Sequence, residues 1–324
     1  MDAIPLIEVG DGGAPALLRR EPARAAALLD SAQRTYGRTG LAVSDALSRR
    51  WAARNAVPYL AEIDHVADLL CRPGAWMLNL CYEWGCTTGI AEAPDGRGAV
   101  MMRTLDWPLD GLGRHVVVTR QTGDAGMWFN VTWPGFVGVT TALAPGRFAA
   151  ALNQAPMTRR GLGLVGDWVV NRWRIWYGGR TPPALLLRRA FDECATFDDA
   201  LQLLTETPVS LPAIFTLAGA TPVNGVVIER LEHAAWIHPA PVCVTNHWLT
   251  PGLMGRPRSK DSEDRLAAMR GRLLAVAPGL TWLQAPILND TTRLAVTANV
   301  ATGELTVQGF EAGAPATSVL RLVA

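Results

Sequence analysis

The run Glu83-Trp84-Gly85-Cys86-Thr87-Thr88-Gly89-Ile90-Ala91 is followed by Pro94-Asp95-Gly96-Arg97-Gly98 and then by Met102-Arg103-Thr104-Leu105-Asp106-Trp107-Pro108. Asp95-Gly96 with a second glycine two positions on is hairpin-turn chemistry, because the tight turns that join antiparallel strands need residues that tolerate positive φ. The flanking runs are therefore predicted as paired strands over 86–91 and 99–105. That pairing brings a thiol, Cys86, into the neighbourhood of a guanidinium, Arg103, and a carboxylate, Asp106.

Upstream of the hairpin the period changes. Ala16, Leu17, Leu28, Leu29, Leu41, Leu47, Leu60, Ile63, Val66 and Leu69 recur at helical spacing, punctuated by Pro58 and Pro73. Residues 1–85 read as a helical N-terminal segment. Two readings of it stand: an ordinary helical cap on the core, or a propeptide-like segment that precedes a cleavage point. Downstream, strands are predicted near 115–120, 127–132, 136–142 and 147–152, and helices over 164–177, 183–194 and 197–205. Strands resume near 213–217, 225–230, 234–237 and 242–245, before a charged helix over 260–274 and a last hairpin, 293–299 with 304–308. Strands, helices, strands and a helix in that order imply an α+β chain with two sheets and helices packed outside them.

Composition narrows the function. The 324 residues are 49% hydrophobic, enough for one large core. Thirty basic and 29 acidic residues leave a formal charge of +1, too little field to hold a nucleic acid. No apolar run approaches the roughly 20 uncharged residues of a spanning helix, so no transmembrane segment is expected. Met1-Asp2-Ala3-Ile4-Pro5 lacks the basic start of a secretory leader, and five cysteines form a sparse, odd set that suits a reducing compartment. A cytoplasmic protein is expected. No Cys-x-x-Cys occurs and no histidine sits at ligand spacing, so neither metal nor cofactor is expected. Gly161-x-Gly163-x-x-Gly166 has the form of a dinucleotide fingerprint, but it follows Arg159-Arg160 rather than an apolar strand.

An amide carbonyl is a poor electrophile, and its hydrolysis needs a strong nucleophile, a base and donors for the oxyanion. A cysteine at a chain's N-terminus supplies the first two at once, since its α-amine, with a reference pKa of about 7.7 to 8, lies beside its own thiol. No histidine is then required, and none of the five sits in a cysteine-protease signature.

Further residues carry a family resemblance. Leu78-Asn79-Leu80-Cys81-Tyr82-Glu83, Cys86-Thr87-Thr88, Arg103 and Asp106-Trp107 are followed by Gly135-Phe136-Val137-Gly138, Pro145-Gly146, Leu152-Asn153, Thr245-Asn246 and Asp264-Arg265. In order and spacing this set resembles the N-terminal-nucleophile amide hydrolases of the acid ceramidase, N-acylethanolamine acid amidase and choloylglycine hydrolase group, most of all the acid ceramidase branch. The resemblance implies a four-layer αββα sandwich over 86–324, no cofactor, and self-cleavage between Gly85 and Cys86 that leaves fragments 1–85 and 86–324 associated. It implies Cys86 as nucleophile with its own amine as base, Asp106 holding that amine, and Arg103 favouring the thiolate. It further implies Asn246 as a donor to the oxyanion, with a backbone N–H near Trp133 or Gly135 as the second, and Arg265 bracing Asn246. Trp107, Asn153 and Gln154 join Trp133 and Gly135 as candidates for the pocket. Gln154 stands where that branch has an acidic residue.

Plainer readings accompany these. Cys86 by itself reads as a buried structural thiol, Arg103 with Asp106 as a solvated salt bridge, Asn246 as a turn cap, and Arg265 as surface charge on a helix. Trp168, Arg172 and Trp176, at four-residue spacing, are either core packing or the wall of an acyl pocket. The implied activity is hydrolysis of a linear amide C–N bond in a small N-acyl substrate with an apolar acyl group. Acyl transfer through the same acyl-enzyme and a degenerate, ligand-binding family member are the alternatives. Oligomeric state is not legible.

Overall fold

The computed structural model describes residues 1–81, 84–259 and 261–323. The Tyr82-Glu83 part of the motif and the expected helix start at Lys260 lie outside the described residues. The chain opens with a strand that helical periodicity did not suggest, β1 (Leu6–Gly10). Its alternation is nonetheless plain, with Ile7 and Val9 buried while Leu6 and Glu8 are exposed. Helices α1 (Gly13–Arg20), α2 (Pro22–Tyr36), α3 (Arg38–Arg54), α4 (Leu60–Leu70) and α5 (Ala75–Leu80) fill the rest of the N-terminal segment.

The deciding hairpin forms as β2 (Gly85–Glu92) and β3 (Ala99–Asp106), in register with Gly85 opposite Asp106, Cys86 opposite Leu105 and Thr88 opposite Arg103. Next come β4 (Val117–Gly123), β5 (Gly126–Thr132), β6 (Thr141–Ala144), β7 (Phe148–Gln154) and β8 (Met157–Thr158). Helices α6 (Gly163–Gly178), α7 (Pro183–Glu193) and α8 (Phe197–Glu206) follow, then β9 (Ala213–Gly219), β10 (Gly225–Arg230), β11 (Ala235–Pro239), β12 (Val242–Val244) and β13 (Gly255–Arg256). Helix α9 (Ser262–Leu273) and strands β14 (Thr292–Asn299), β15 (Glu304–Glu311), β16 (Ala314–Pro315) and β17 (Leu320–Val323) complete the chain. A capping box starts α8, with Thr196 Oγ accepting from the Asp199 N–H and the Asp199 carboxylate accepting from the Thr196 N–H.

One sheet runs β1-β4-β5-β6-β7-β9-β10-β11, antiparallel except where β1 joins β4; the other runs β12-β2-β3-β14-β15, with β16 and β17 also on β15. Alternation along β2 explains the layering. Thr88 points across to the first sheet, where its hydroxyl donates to Asn153 Oδ1 on β7 at 2.7 Å. Cys86 and Ile90 share that face, because side chains two apart point the same way. Gly89 turns to the other face, against Met269 and Leu273 of α9. On the far side of the first sheet, Phe191 of α7 stacks on Trp128 of β5 at a centroid distance of 5.1 Å. Helices, sheet, sheet and helix make the αββα sandwich.

The strand expected over 136–142 is confined to β6. Pairing with β7 begins where the Leu152 N–H donates to the Thr140 carbonyl; before it, the Val139 N–H is taken by the Ala184 carbonyl at the start of α7 instead of by a strand.

Candidate active site

Cys86 is the second residue of β2 and is fully buried. Its backbone N–H donates to Asn246 Oδ1 at 2.8 Å, and its carbonyl accepts from Arg265 at 2.7 Å. Its sulfur lies 3.5 Å from a guanidinium nitrogen of Arg103 and 3.7 Å from the Leu152 carbonyl. Burial pushes the thiol above its ordinary range, and the charge of Arg103 is the largest opposing influence; the Gln154 N–H and Arg265 pull the same way, while Asp106 pushes it up.

Arg103 reaches the sulfur because, opposite Thr88 on β3, it faces the inter-sheet space. Its guanidinium also donates to the Leu152 carbonyl at 2.8 Å and to the Thr104 carbonyl at 3.1 Å. No carboxylate pairs with it among the described residues. The solvated Arg103–Asp106 salt bridge is thereby excluded: both side chains are buried, and Asp106 pairs with Arg265 at 3.4 Å. The other Asp106 oxygen accepts from Thr292 at 2.8 Å. Burial raises the Asp106 carboxyl above the usual carboxylate range, against the lowering effect of Arg265 and Thr292.

Arg265 is likewise buried rather than surface charge. From the first turn of α9 it donates to the Cys86 carbonyl, to Thr87 Oγ at 2.8 Å and to Asn246 Oδ1 at 3.1 Å. Asn246 is no turn cap. Its oxygen collects the Cys86, Arg265 and Ser259 donors, and its nitrogen donates to the Gln154 carbonyl at 2.9 Å. The five principal residues of the sequence reading thus converge on one buried cluster. Ser259 and Thr292 were missed; a serine in a charged loop and a threonine at a strand start carry no periodic or motif signal.

Gly85 owes its lack of a side chain to space rather than to strain. A Cβ there would lie 2.9 Å from Ser259 Cβ and 3.3 Å from Asp106 Cβ, and its φ is not positive.

The pocket candidates divide. Asn153 braces strands, linking Thr88 to the Val244 and Thr245 carbonyls. Gln154 touches the site through its backbone and borders a cleft of about 450 Å³. Trp107, Trp133 and Gly135 instead line a separate apolar cavity of about 60 Å³ beside α2 and α4. The Trp133 indole donates to the Leu112 carbonyl and the Gly135 carbonyl accepts from Asn79.

The cleft is walled by Trp168, Arg172 and Trp176 of α6, by Leu47 and Trp51 of α3, and by Met77 and Leu80 of α5. The two readings of α6 divide along it: Trp176 packs with Ile175 against the core, whereas Trp168, 48% exposed, and the exposed Arg172 face the cleft. No helix among the described residues is long and apolar enough to cross a membrane.

The N-acylethanolamine-hydrolyzing acid amidase of Cavia porcellus is 28% identical over 180 residues, 53% of this chain and 48% of that protein. Acid ceramidase of Bos taurus is 27% identical over 172 residues, 48% of this chain and 42% of that protein. The chain is homologous to these amidases. It spans about half the length of the curated relatives it matches. A solved Caenorhabditis elegans N-acylethanolamine-hydrolyzing acid amidase ortholog aligns with 18% identity and a TM-score of 0.47, covering 67% of this chain and 93% of that one. No protein-family model matches the chain.

Proposed function

We propose that the chain is a cysteine N-terminal-nucleophile hydrolase of linear amides with an apolar acyl group, activated by cleavage between Gly85 and Cys86. The observation that carries this reading is Arg103: a fully buried cation whose hydrogen-bond partners among the described residues are two backbone carbonyls and the sulfur of Cys86. Burying a charge with no carboxylate in direct contact costs several kcal/mol. The thiolate that forms at Cys86 as its proton departs is the counter-ion that offsets the cost.

In the activating step the Cys86 sulfur attacks the Gly85 carbonyl carbon, the Gly85–Cys86 C–N bond breaks, and the thiol proton passes to the departing nitrogen. Water then hydrolyses the Gly85 thioester, freeing thiol and α-amine. Asn246 Oδ1, which holds the nitrogen as an amide at 2.8 Å, holds it afterwards as an amine. In turnover that amine takes the thiol proton, the sulfur attacks the substrate carbonyl, and the amine returns the proton to the leaving nitrogen. Water, activated by the same amine, resolves the acyl-enzyme.

The cleft beside Gln154 is proposed as the acyl site, since aromatic and aliphatic walls with a few polar groups suit an apolar chain. The exposed apolar side chains of α6 at its mouth support substrates that partition into lipid assemblies. The names of the amidases to which the chain is homologous support N-acyl substrates. Five free cysteines support a cytoplasmic, reducing setting.

Replacing Cys86 by alanine tests the reading. Both cleavage and hydrolysis of an N-acylethanolamine should disappear; a Cys86→Ala chain that still turns over the amide would overturn it.

A further inference from the structure

We infer that Ser259 is a positioning residue for the reaction at Cys86, fixing which way round the Asn246 carboxamide lies; the inference rests on Cys86 being the nucleophile. A carboxamide has an acceptor end and a donor end of nearly equal size, and a half-turn about its last bond exchanges them. Asn246 performs its task only one way round, with Oδ1 toward the Cys86 nitrogen and Nδ2 toward the Gln154 carbonyl.

Three donors meet Oδ1: the Cys86 N–H at 2.8 Å, the Ser259 hydroxyl at 2.9 Å and Arg265 at 3.1 Å. The first is the one whose chemistry changes, since cleavage turns an amide N–H into an amine that gains and loses protons during each turnover. A hydroxyl alone would be an ambiguous partner, able to donate or accept. Here Arg265 donates to Ser259 Oγ as well. A guanidinium has no acceptor, so the serine oxygen accepts from it, and the serine's own proton goes to the Asn246 Oδ1 that faces it, beside the bond Arg265 makes to the same oxygen. The order Arg265, Ser259, Asn246, Gln154 is then a one-way chain of donors that stays the same whatever the protonation of the Cys86 nitrogen.

Ser259 is also placed against the bond that is cut. Its Cβ would lie 2.9 Å from a Cβ at Gly85. One half-buried serine thus occupies the space a side chain at residue 85 would need, and bonds the carboxamide that holds the nucleophile's nitrogen and the arginine that holds the nucleophile's carbonyl.

The test uses Ser259→Ala and Ser259→Thr in two readouts. In full-length chains that also carry Cys86→Ala, residue 86 keeps a backbone N–H whose hydrogen exchange reports its bond to Asn246. Ser259→Ala should speed that exchange about tenfold while Ser259→Thr leaves it near the parent value, the loss of order expected when a buried hydrogen bond is removed. In chains with Cys86 intact, Ser259→Ala should lower kcat on N-palmitoylethanolamine about tenfold with KM little changed, and Ser259→Thr should restore it. Exchange at residue 86 identical in the alanine variant and its parent overturns the inference. A parent chain that hydrolyses no N-acyl amide overturns the proposed function alone, because the exchange measurement still decides the role of Ser259.

Discussion

Replacing Arg103 by methionine separates a functional cation from a structural one. The guanidinium nitrogen and the Cys86 sulfur are 3.5 Å apart, both fully buried. Unit charges at that distance interact by about 5 kcal/mol at an effective dielectric near 20. This corresponds to an upper bound of about 3 to 4 pKa units on the thiol. Arg103→Met should therefore raise the pH at which Cys86 is alkylated by iodoacetamide by up to that amount and lower kcat/KM at neutral pH by up to about a thousandfold. Stability should respond differently. The variant relieves the desolvation of a cation that no carboxylate pairs with among the described residues, and it leaves the Leu152 and Thr104 carbonyls short of donors at about 1–3 kcal/mol each. These effects oppose each other, so the unfolding midpoint should shift by only a few degrees. An Arg103→Met chain with an unshifted alkylation profile, or one that loses its fold while the surviving fraction keeps full turnover, would refute the reasoning.

Three further expectations follow from the same cluster. Gly85→Ala forces a Cβ to 2.9 Å from Ser259 and should slow cleavage markedly and cost about 1–3 kcal/mol of stability, read by intact mass and by denaturant unfolding. Asn246→Ala should lower kcat by about a hundredfold to a thousandfold in steady-state assays if its carboxamide serves the oxyanion, whereas a change confined to KM would contradict that role. Burial raises the Asp106 carboxyl above its ordinary 3.8, so the folded chain holds that proton more tightly than the unfolded one. The stability it contributes is full below 3.8 and is lost as pH rises through the raised value. Asp106→Asn should flatten that part of the fall in a pH series of unfolding midpoints. His115 and His247, held below 6.5 by burial, act in the opposite direction as pH falls below that value, so the difference between variant and parent isolates Asp106.

Much of the sandwich was legible because its elements obey local rules. The Asp95-Gly96 turn forced a hairpin, and α7, α8 and α9 carry periodic apolar faces or charged ends that mark them as helices. The site was legible where residue type is decisive: a thiol, two arginines, an aspartate and an asparagine in the right order. What escaped was set by partners distant in sequence. β1 exists because Ile7 and Val9 find β4 more than a hundred residues away. The turn at Trp133 to Gly135 is tied to the helical segment by Asn79, a partner 56 positions away that no local pattern announces. Spacing left the α6 tryptophans between core packing and a pocket wall, and only the packing of α3 and α5 shows that Trp168 and Trp176 wall a cleft, with Trp176 also against the core. Ser259 and Thr292 matter through a single hydroxyl each, which no pattern announces.

The central claim concerns one peptide bond. Intact-mass analysis with N-terminal sequencing of a fully active preparation should find two polypeptides, 1–85 and 86–324, the second beginning at Cys86. A single uncut chain with full turnover would contradict the account, since Cys86 would then act without the amine proposed as its base.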